Sequence, residues 1–429
     1  MAMPPGAGIR CISDFTCEPL VRLLQARIGG TDVSATPFNQ VHQSLHQAAL
    51  TAHDPLIVWT TPTGVLPSFA RAARFEEVNH ADVLREVDEH VALVAGAALQ
   101  GPVLVATWTH GTTRAGYGLL DWTPGVGLAG LLARMNLRLA EGLADVTDAY
   151  VLDAQRWLHA SIPPESPRLW FAAKVPFTPE VFAAAASDVT AALDALSGRS
   201  RRLVVVDLDN TLWGGVVGDV GWERLRLGGP DPLGEAFEEF QLALRELSTR
   251  GIQLAVVSKN THAVALEAIE RHPAMRLGVR DFAAMRINWE DKARNVEVLV
   301  AELGLSLSSV VFLDDNPVER GRVREALPQV LVPEWPADPM LYAHALRSLP
   351  CFATSVVSHE DRTRTRMYAE QQSRIADREA VQDLADWLKT LETTVTVEPW
   401  TVHTSGVEDV NVTLCPDDAV ADTANGATP

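Results

Sequence analysis

Three side chains that could do chemistry follow one apolar run. Leu203-Val204-Val205-Val206 leads into Asp207-Leu208-Asp209-Asn210-Thr211. Three of the four leading residues are β-branched, which predicts a strand buried on both faces. In an extended chain residues i and i+2 share a face, so Asp207 and Asp209 can address one small ligand. Asp207 then suits an in-line nucleophile that forms an aspartyl phosphate, and Asp209 a general acid and base. Standing alone, the stretch could equally be a solvated Asp-Asn turn. Three later segments repeat its grammar. Gly251 to Val257 ends in Ser258-Lys259-Asn260, Trp289-Glu290-Asp291 precedes Lys292 at the start of a helical pattern, and Ser309 to Leu313 ends in Asp314-Asp315-Asn316-Pro317. Ser258 can hydrogen-bond a phosphoryl oxygen, and Lys292 can neutralise charge on the nucleophile and on the phosphate. Carboxylates on Asp207 and Asp314, with Asp315, make a hard oxygen site suited to a magnesium ion, without which the acidic cluster would repel a phosphate. The four tips together supply what phosphoryl transfer needs.

The elements that must bring them together alternate. Helical patterns at Glu235 to Arg250 and Ala293 to Leu303 separate the apolar runs, which predicts a doubly wound parallel sheet with all four tips at its carboxyl edge. Roughly two dozen residues separate Thr211 from the helix start near Gly234, and one helix fills the interval from Lys292 to Asp314, so neither interval has room for a folded lid. The cleft is expected to be uncapped and open to a bulky partner. The glycine-rich Trp213 to Gly229, with Gly214 and Gly215 at its start, is expected to form a small flap over the phosphate.

A second α/β unit precedes this one. Strands are expected at Ile9 to Ile12, Leu56 to Thr60, Pro102 to Trp108 and Ala149 to Leu152, and helices at Glu18 to Ile28, Ala81 to Ala98, Gly127 to Leu143 and Pro179 to Leu196. After Asp314 come a strand at Gln329 to Val332, a helix at Met340 to Ser348 and a helical arm from His359 to Leu391. The polar, acidic stretch beyond Trp400 reads as disordered. The expected domains are 1–195, an α/β unit; 196–350, the catalytic unit; 351–400, the arm; and 401–429, the tail.

Asp207-Leu208-Asp209-Asn210-Thr211, Ser258, Lys292 and Asp314-Asp315, in this order, resemble the four motifs of the haloacid dehalogenase (HAD) superfamily. The likeness is closer to its FkbH-like branch (subfamily IIIC), carried by Asp207 to Val217, Gly234-Glu235-Ala236-Phe237, His272-Pro273-Ala274-Met275, Asn288-Trp289-Glu290-Asp291-Lys292-Ala293 and Leu313 to Arg320. The resemblance implies Asp207, Asp209, Ser258 and Lys292 as catalytic residues. It implies Thr211, Gly214, Gly215, Lys259, Asn260 and Asn316 around the phosphate, and Asp207, Asp209, Asp314 and Asp315 as ligands of Mg2+. It further implies a role in polyketide-type biosynthesis: dephosphorylation of 1,3-bisphosphoglycerate, a phosphorylated three-carbon metabolite, and loading of a glyceryl unit onto the phosphopantetheine arm of an acyl carrier protein, toward methoxymalonyl-type extender units. The chain departs from that branch at Val257, where many relatives carry cysteine; valine cannot hold an acyl group. The first unit resembles the SGNH-hydrolase-like domain of longer FkbH-like proteins. Its first tip, Ser13-Asp14-Phe15-Thr16, is followed late by Asp153-Ala154-Gln155-Arg156, with arginine where the esterase histidine belongs, so a non-hydrolytic domain is expected.

The chain has 429 residues and a net charge of -19, which argues against nucleic acid and anionic membranes as partners. An acidic carrier protein would need a local basic patch, for which Arg320, Arg322 and Arg324, or Arg362, Arg364 and Arg366, are candidates. The four cysteines, 11, 17, 351 and 415, show no metal-type spacing, and Met1 to Gly6 lacks the features of a secretion signal, so a cytoplasmic location is expected. The most apolar run, His90 to Trp108, is interrupted by Gln100-Gly101-Pro102 and reads as a helix and a strand rather than a membrane span. Two rival functions stay open: a free-standing small-molecule phosphatase without acyl transfer, and a non-catalytic carrier-protein docking protein.

Overall fold

The computed structural model describes residues 8–109 and 116–354, together with the short strands Val395–Thr396 and Thr413–Leu414. The fold is α/β, with two parallel sheets in two compact units. The first unit runs to Ser200 and takes in a short segment from Leu349; the second holds Arg201–Ser348.

The sheet of the first unit contains β1 (Gly8–Ile12), β2 (Asp32–Ala35), β3 (Leu56–Val58), β4 (Val103–Ala106) and β5 (Ala149–Leu152), in the order β2-β1-β3-β4-β5, every pair parallel. Alternation along the strands divides their side chains between two cores. Leu56, Val58, Val103 and Val105 join the helices Val41–Ala48, His80–Ala98 and Leu128–Leu143 on one face, while Ile57, Leu104, Ile9 and Cys11 join Glu18–Ile28 and Pro179–Leu196 on the other.

The sheet of the second unit contains β6 (Leu203–Val206), β7 (Gln253–Ser258), β8 (Ala284–Ile287) and β9 (Val310–Leu313), again all parallel, in the order β8-β7-β6-β9. All four residues of β6 are fully buried, each contributing roughly 1.5–3 kcal/mol of transfer free energy. Leu203, Val205, Ala255, Val257, Val310 and Phe312 form one face with Val296, Leu299 and Val300 of the helix Lys292–Glu302. The helix Pro232–Thr249, with Phe237, Phe240 and Leu244 buried, packs on the sheet through β7. Because β6 is central, Asp207 leaves the sheet between the tips of β7 and β9.

Two strands and several helices, His262–Arg271 among them, escape the sequence reading. β2 and the helix Val41–Ala48 are short, and β8 is an edge strand, Ala-Met-Arg-Ile, with one buried residue in four. The strand expected at Gln329 to Val332 is reduced to an isolated bridge of Leu331 to Val311, held by Phe312 N–H to Leu331 O at 2.9 Å and Leu331 N–H to Val310 O at 3.0 Å. Pro333 follows at once, and proline cannot donate to a ladder. The expected arm from His359 to Leu391 and most of the expected tail lie outside the described residues; within the tail region Thr413–Leu414 pairs antiparallel with Val395–Thr396. No helix among the described residues is long and apolar enough to cross a membrane.

Candidate active site

Register sets the position of Asp207. Val206 pairs with Val256 on one side and Leu313 on the other, and Asp207 N–H donates to Leu313 O at 3.0 Å. The tip of β6 therefore lies beside the tip of β9, where Asp314 begins. Asn210 then takes the left-handed conformation, φ 56°, which asparagine tolerates better than most residues, and the chain turns sharply enough to return Thr211 and Leu212 onto Leu208 O.

Lys292, the first residue of its helix, reaches into this corner. Its Nζ lies 2.9 Å from Asp207 Oδ2 and 2.6 Å from Asp314 Oδ2, with all three side chains at most 8% exposed. One ligand atom each from Asp207, Asp314 and Asp315 falls within 4.8 Å of the others. Asp207 Oδ1 is buried with no hydrogen-bond partner. A buried carboxylate oxygen without a donor is costly, and a bound cation would remove that cost. Three carboxylates facing one ammonium leave a formal deficit of two positive charges, the charge of a divalent ion. The electrostatics agree. Burial, with the Asp207 charge next, pushes Asp314 up to about 7 and raises Asp315 in the same direction. Burial opposes the charge on Lys292, but Asp207 and Asp314 overcome it and hold its pKa above the usual lysine value. An all-oxygen donor set of this kind fits magnesium.

Asp209, expected among the metal ligands, does not place a side-chain oxygen in this group of three. Both its oxygens are taken: Oδ1 accepts from Trp213 Nε1 at 2.9 Å and Val217 N–H at 3.0 Å, and Oδ2 from Asn260 Nδ2 at 2.8 Å. Burial nonetheless raises its pKa against these donors, the direction a proton donor needs.

The residues expected around the phosphate mostly have structural work. Thr211 is fully buried, and its Oγ1 accepts from Asp315 N–H at 3.1 Å, fixing the β9 tip. Gly214 exchanges backbone hydrogen bonds with Arg226, closing the base of the flap, and Gly215 N–H donates to Asn210 Oδ1 at 2.9 Å. Lys259 is paired with Glu319 at 2.6 Å. Asn260 holds Asp209, and Asn316 caps the helix Pro317–Ala326 through Val318 N–H at 2.9 Å. Sequence spacing finds the tips but not which polar groups the tips use on one another. Ser258 does end β7 at the same edge, 2% exposed. Val257, beside it, is fully buried in the apolar core, so a side chain here packs rather than reacts.

Several supporting contacts were not read from the sequence. Trp213, fully buried, anchors Asp209. Arg320, a candidate for the docking patch, donates to the carbonyls of Asp314 at 2.8 Å and Asp315 at 2.7 Å, so it braces the backbone at the β9 tip. Arg322 pairs with Asp291 at 3.0 Å and Arg324 with Glu334 at 3.0 Å, which neutralises the rest of that expected patch; the alternative at Arg362, Arg364 and Arg366 lies outside the described residues. Asn288 and Asn295 hydrogen-bond each other, and Asn288 N–H donates to Ser258 O at 3.1 Å. Asn288 precedes Lys292 by only four residues, a proximity that could have flagged it.

In the first unit the esterase-like tip is also committed locally. Ser13 Oγ accepts from Phe15 N–H at 3.1 Å, and the buried Asp14 accepts from Thr61 N–H at 2.7 Å and Thr61 Oγ1 at 2.5 Å. Arg156 lies 3.6 Å from Asp188.

No protein-family model matches the chain, and no curated protein matches it. Among solved structures, the chain is similar to the N-terminal part of the protein BF1531 from Bacteroides fragilis, which contains a phosphatase domain and was solved in complex with Mg. The TM-score is 0.74 and the identity 26%, over 82% of this chain and 95% of that chain. A UDP-GlcNAc 2-epimerase from Neisseria meningitidis aligns at 7% identity with a TM-score of 0.17, over 86% of this chain and 100% of that chain, and carries no argument.

Proposed function

We propose that the chain is a magnesium-dependent phosphatase of the HAD type with Asp207 as its nucleophile. The observation that carries this reading is the unpartnered, buried Asp207 Oδ1 in a carboxylate group that Lys292 alone cannot neutralise. The likeness to a phosphatase domain solved with Mg supports it. Asp207, Asp314 and Asp315 would hold the ion, which supplies Lewis-acid polarisation of the phosphoryl oxygens and charge compensation. Asp207 attacks phosphorus in line, the bond from phosphorus to the leaving oxygen breaks, and Asp209 gives that oxygen its proton. Water then attacks the aspartyl phosphate, Asp209 takes the proton back, and phosphate and the free Asp207 carboxylate return. Lys292 steadies the negative charge on Asp207 throughout.

The finer reading is that of the FkbH-like branch of polyketide-type biosynthesis. A carrier-protein thiol would displace phosphate from the acyl carbon of 1,3-bisphosphoglycerate, and the remaining phosphate ester would be hydrolysed at Asp207, leaving a glyceryl thioester. The uncapped cleft supports it, because no inserted domain stands between Thr211 and Gly234 or between Lys292 and Asp314. Val257 keeps open a second reading, a phosphatase without acyl transfer, since the chain offers no thiol at this tip to hold an acyl group and the first reading depends on the carrier's own. Incubating the protein with magnesium, 1,3-bisphosphoglycerate and candidate carrier proteins separates the two: a glyceryl adduct on the intact carrier supports the first, and phosphate release with unmodified carriers supports the second. Absence of phosphate release in every condition would leave the docking-protein alternative.

A further inference from the structure

The rim of the cleft carries two large apolar side chains that the chemistry above does not use. Trp289 is 74% exposed and Val318 is 74% exposed. Single exposed apolar residues are ordinary on any protein. These two differ in how they are held. Trp289 sits in a turn fixed on both sides: Asn288 N–H donates to Ser258 O at 3.1 Å, Glu290 N–H donates to Asn288 Oδ1 at 3.0 Å, and Asp291 caps the Lys292 helix through Arg294 N–H at 3.1 Å. Val318 is the second residue of the helix Pro317–Ala326, whose start Asn316 caps immediately after the metal-group residues Asp314 and Asp315.

Two ion pairs bring these segments together. Glu319 pairs with Lys259 at the tip of β7, and Arg322 pairs with Asp291, two residues beyond Trp289. Residues 318 and 322 are spaced i and i+4, so Val318 lies on the helix face whose Arg322 reaches the Trp289 turn. The pairs fix the rim and leave its apolar members facing water, at the sheet edge that bears Asp207 and Lys292.

We propose that Trp289 and Val318 form an apolar lip that takes the organic part of the substrate, so that the site prefers a phosphate carried on an aromatic or extended apolar group over a small polar phosphate. The proposal rests on the phosphatase reading in its second form, without acyl transfer from 1,3-bisphosphoglycerate, and adds the substrate class. An indole face offers a broad, sequence-rigid contact for such a group and little for a compact, fully hydrated one.

The test compares kcat/KM for 1-naphthyl phosphate and acetyl phosphate in the wild type, Trp289→Ala, Trp289→Phe and Val318→Ser. The expected result is a loss of roughly tenfold on 1-naphthyl phosphate in Trp289→Ala, expressed mainly in KM, the size of one good aromatic contact. Acetyl phosphate turnover should stay within about twofold of the wild type, which also reports that the variant is folded. Trp289→Phe should recover most of the loss, and Val318→Ser should show a smaller loss of the same selectivity. Equal losses on both substrates, or none on either, overturn the lip while the phosphatase reading stands. A wild type that hydrolyses neither overturns the lip, and the phosphatase reading falls with it only if 1,3-bisphosphoglycerate also releases no phosphate.

Discussion

Take away the ammonium of Lys292 and two carboxylates face each other where water barely reaches. Removing one partner of a buried ion pair typically costs about 3–5 kcal/mol, so Lys292→Met in magnesium-free buffer should lose stability on that scale in urea unfolding; a loss under about 1 kcal/mol would contradict the buried arrangement. Proton linkage at Asp314 has a definite sign. Its folded pKa, pushed up to about 7 by burial and by Asp207, lies above that of the unfolded chain. The metal-free fold therefore gains stability from the neutral carboxyl at low pH and loses it as pH rises through about 7. Magnesium needs the carboxylate, so binding should release a proton below that pH and tighten as pH rises through the same window. Calorimetry in buffers of different ionisation enthalpy checks this, and pH-independent affinity would count against Asp314 as a ligand. Asp209, raised by burial, must carry a proton to serve a leaving alkoxide. Turnover of an alkyl phosphate should fall as pH passes above its pKa, and Asp209→Asn should abolish that limb of the profile together with most of the rate; an unchanged profile would remove Asp209 from the acid role.

At the scale of elements, the segment after Asn210 holds Asp209, the proposed acid, in place. Trp213 and Val217 both donate to Asp209 from the segment that Gly214 and Arg226 close at its base. Trp213→Phe keeps the ring and removes the N–H, so kcat on alkyl phosphates should fall roughly 10- to 100-fold, as positional disorder of a catalytic group does, with the unfolding midpoint nearly unchanged. A variant with wild-type kcat would make the contact merely structural. The sequence made the central strand and its three companion tips plain, because a buried parallel strand reads as a continuous apolar run and each tip begins with a charged or hydroxyl residue. What it hid was the partner of each polar group. Asn260, Asn316 and Thr211 have the right types for phosphate, and in the fold they also hold Asp209, cap a helix and fix Asp315 respectively, bonds that residue type and spacing do not reveal. β8 was hidden because an edge strand with Arg286 in it lacks the apolar run that marks its neighbours.

On the scale of the molecule, the reactive carboxylates all belong to the unit that begins at Arg201, and the tip residues Ser13 and Asp14 of the first unit are engaged in local hydrogen bonds. Ligand linkage stabilises only what binds the ligand. Scanning calorimetry should show magnesium raising the transition of the second unit while the transition of the first stays in place; a shift of the first alone would relocate the metal site. The two-unit plan was legible because strand and helix patterns alternate twice, whereas the local uses of Ser13 in a turn and of Asp14 on Thr61 were not. The most direct measurement is chemical capture of the nucleophile. Protein mixed with acetyl phosphate and magnesium, quenched in acid and reduced with borohydride, should yield homoserine at position 207 in peptide mass spectra. Homoserine at another aspartate, or none at 207 while phosphate is being released, would contradict Asp207 as the residue that takes the phosphoryl group.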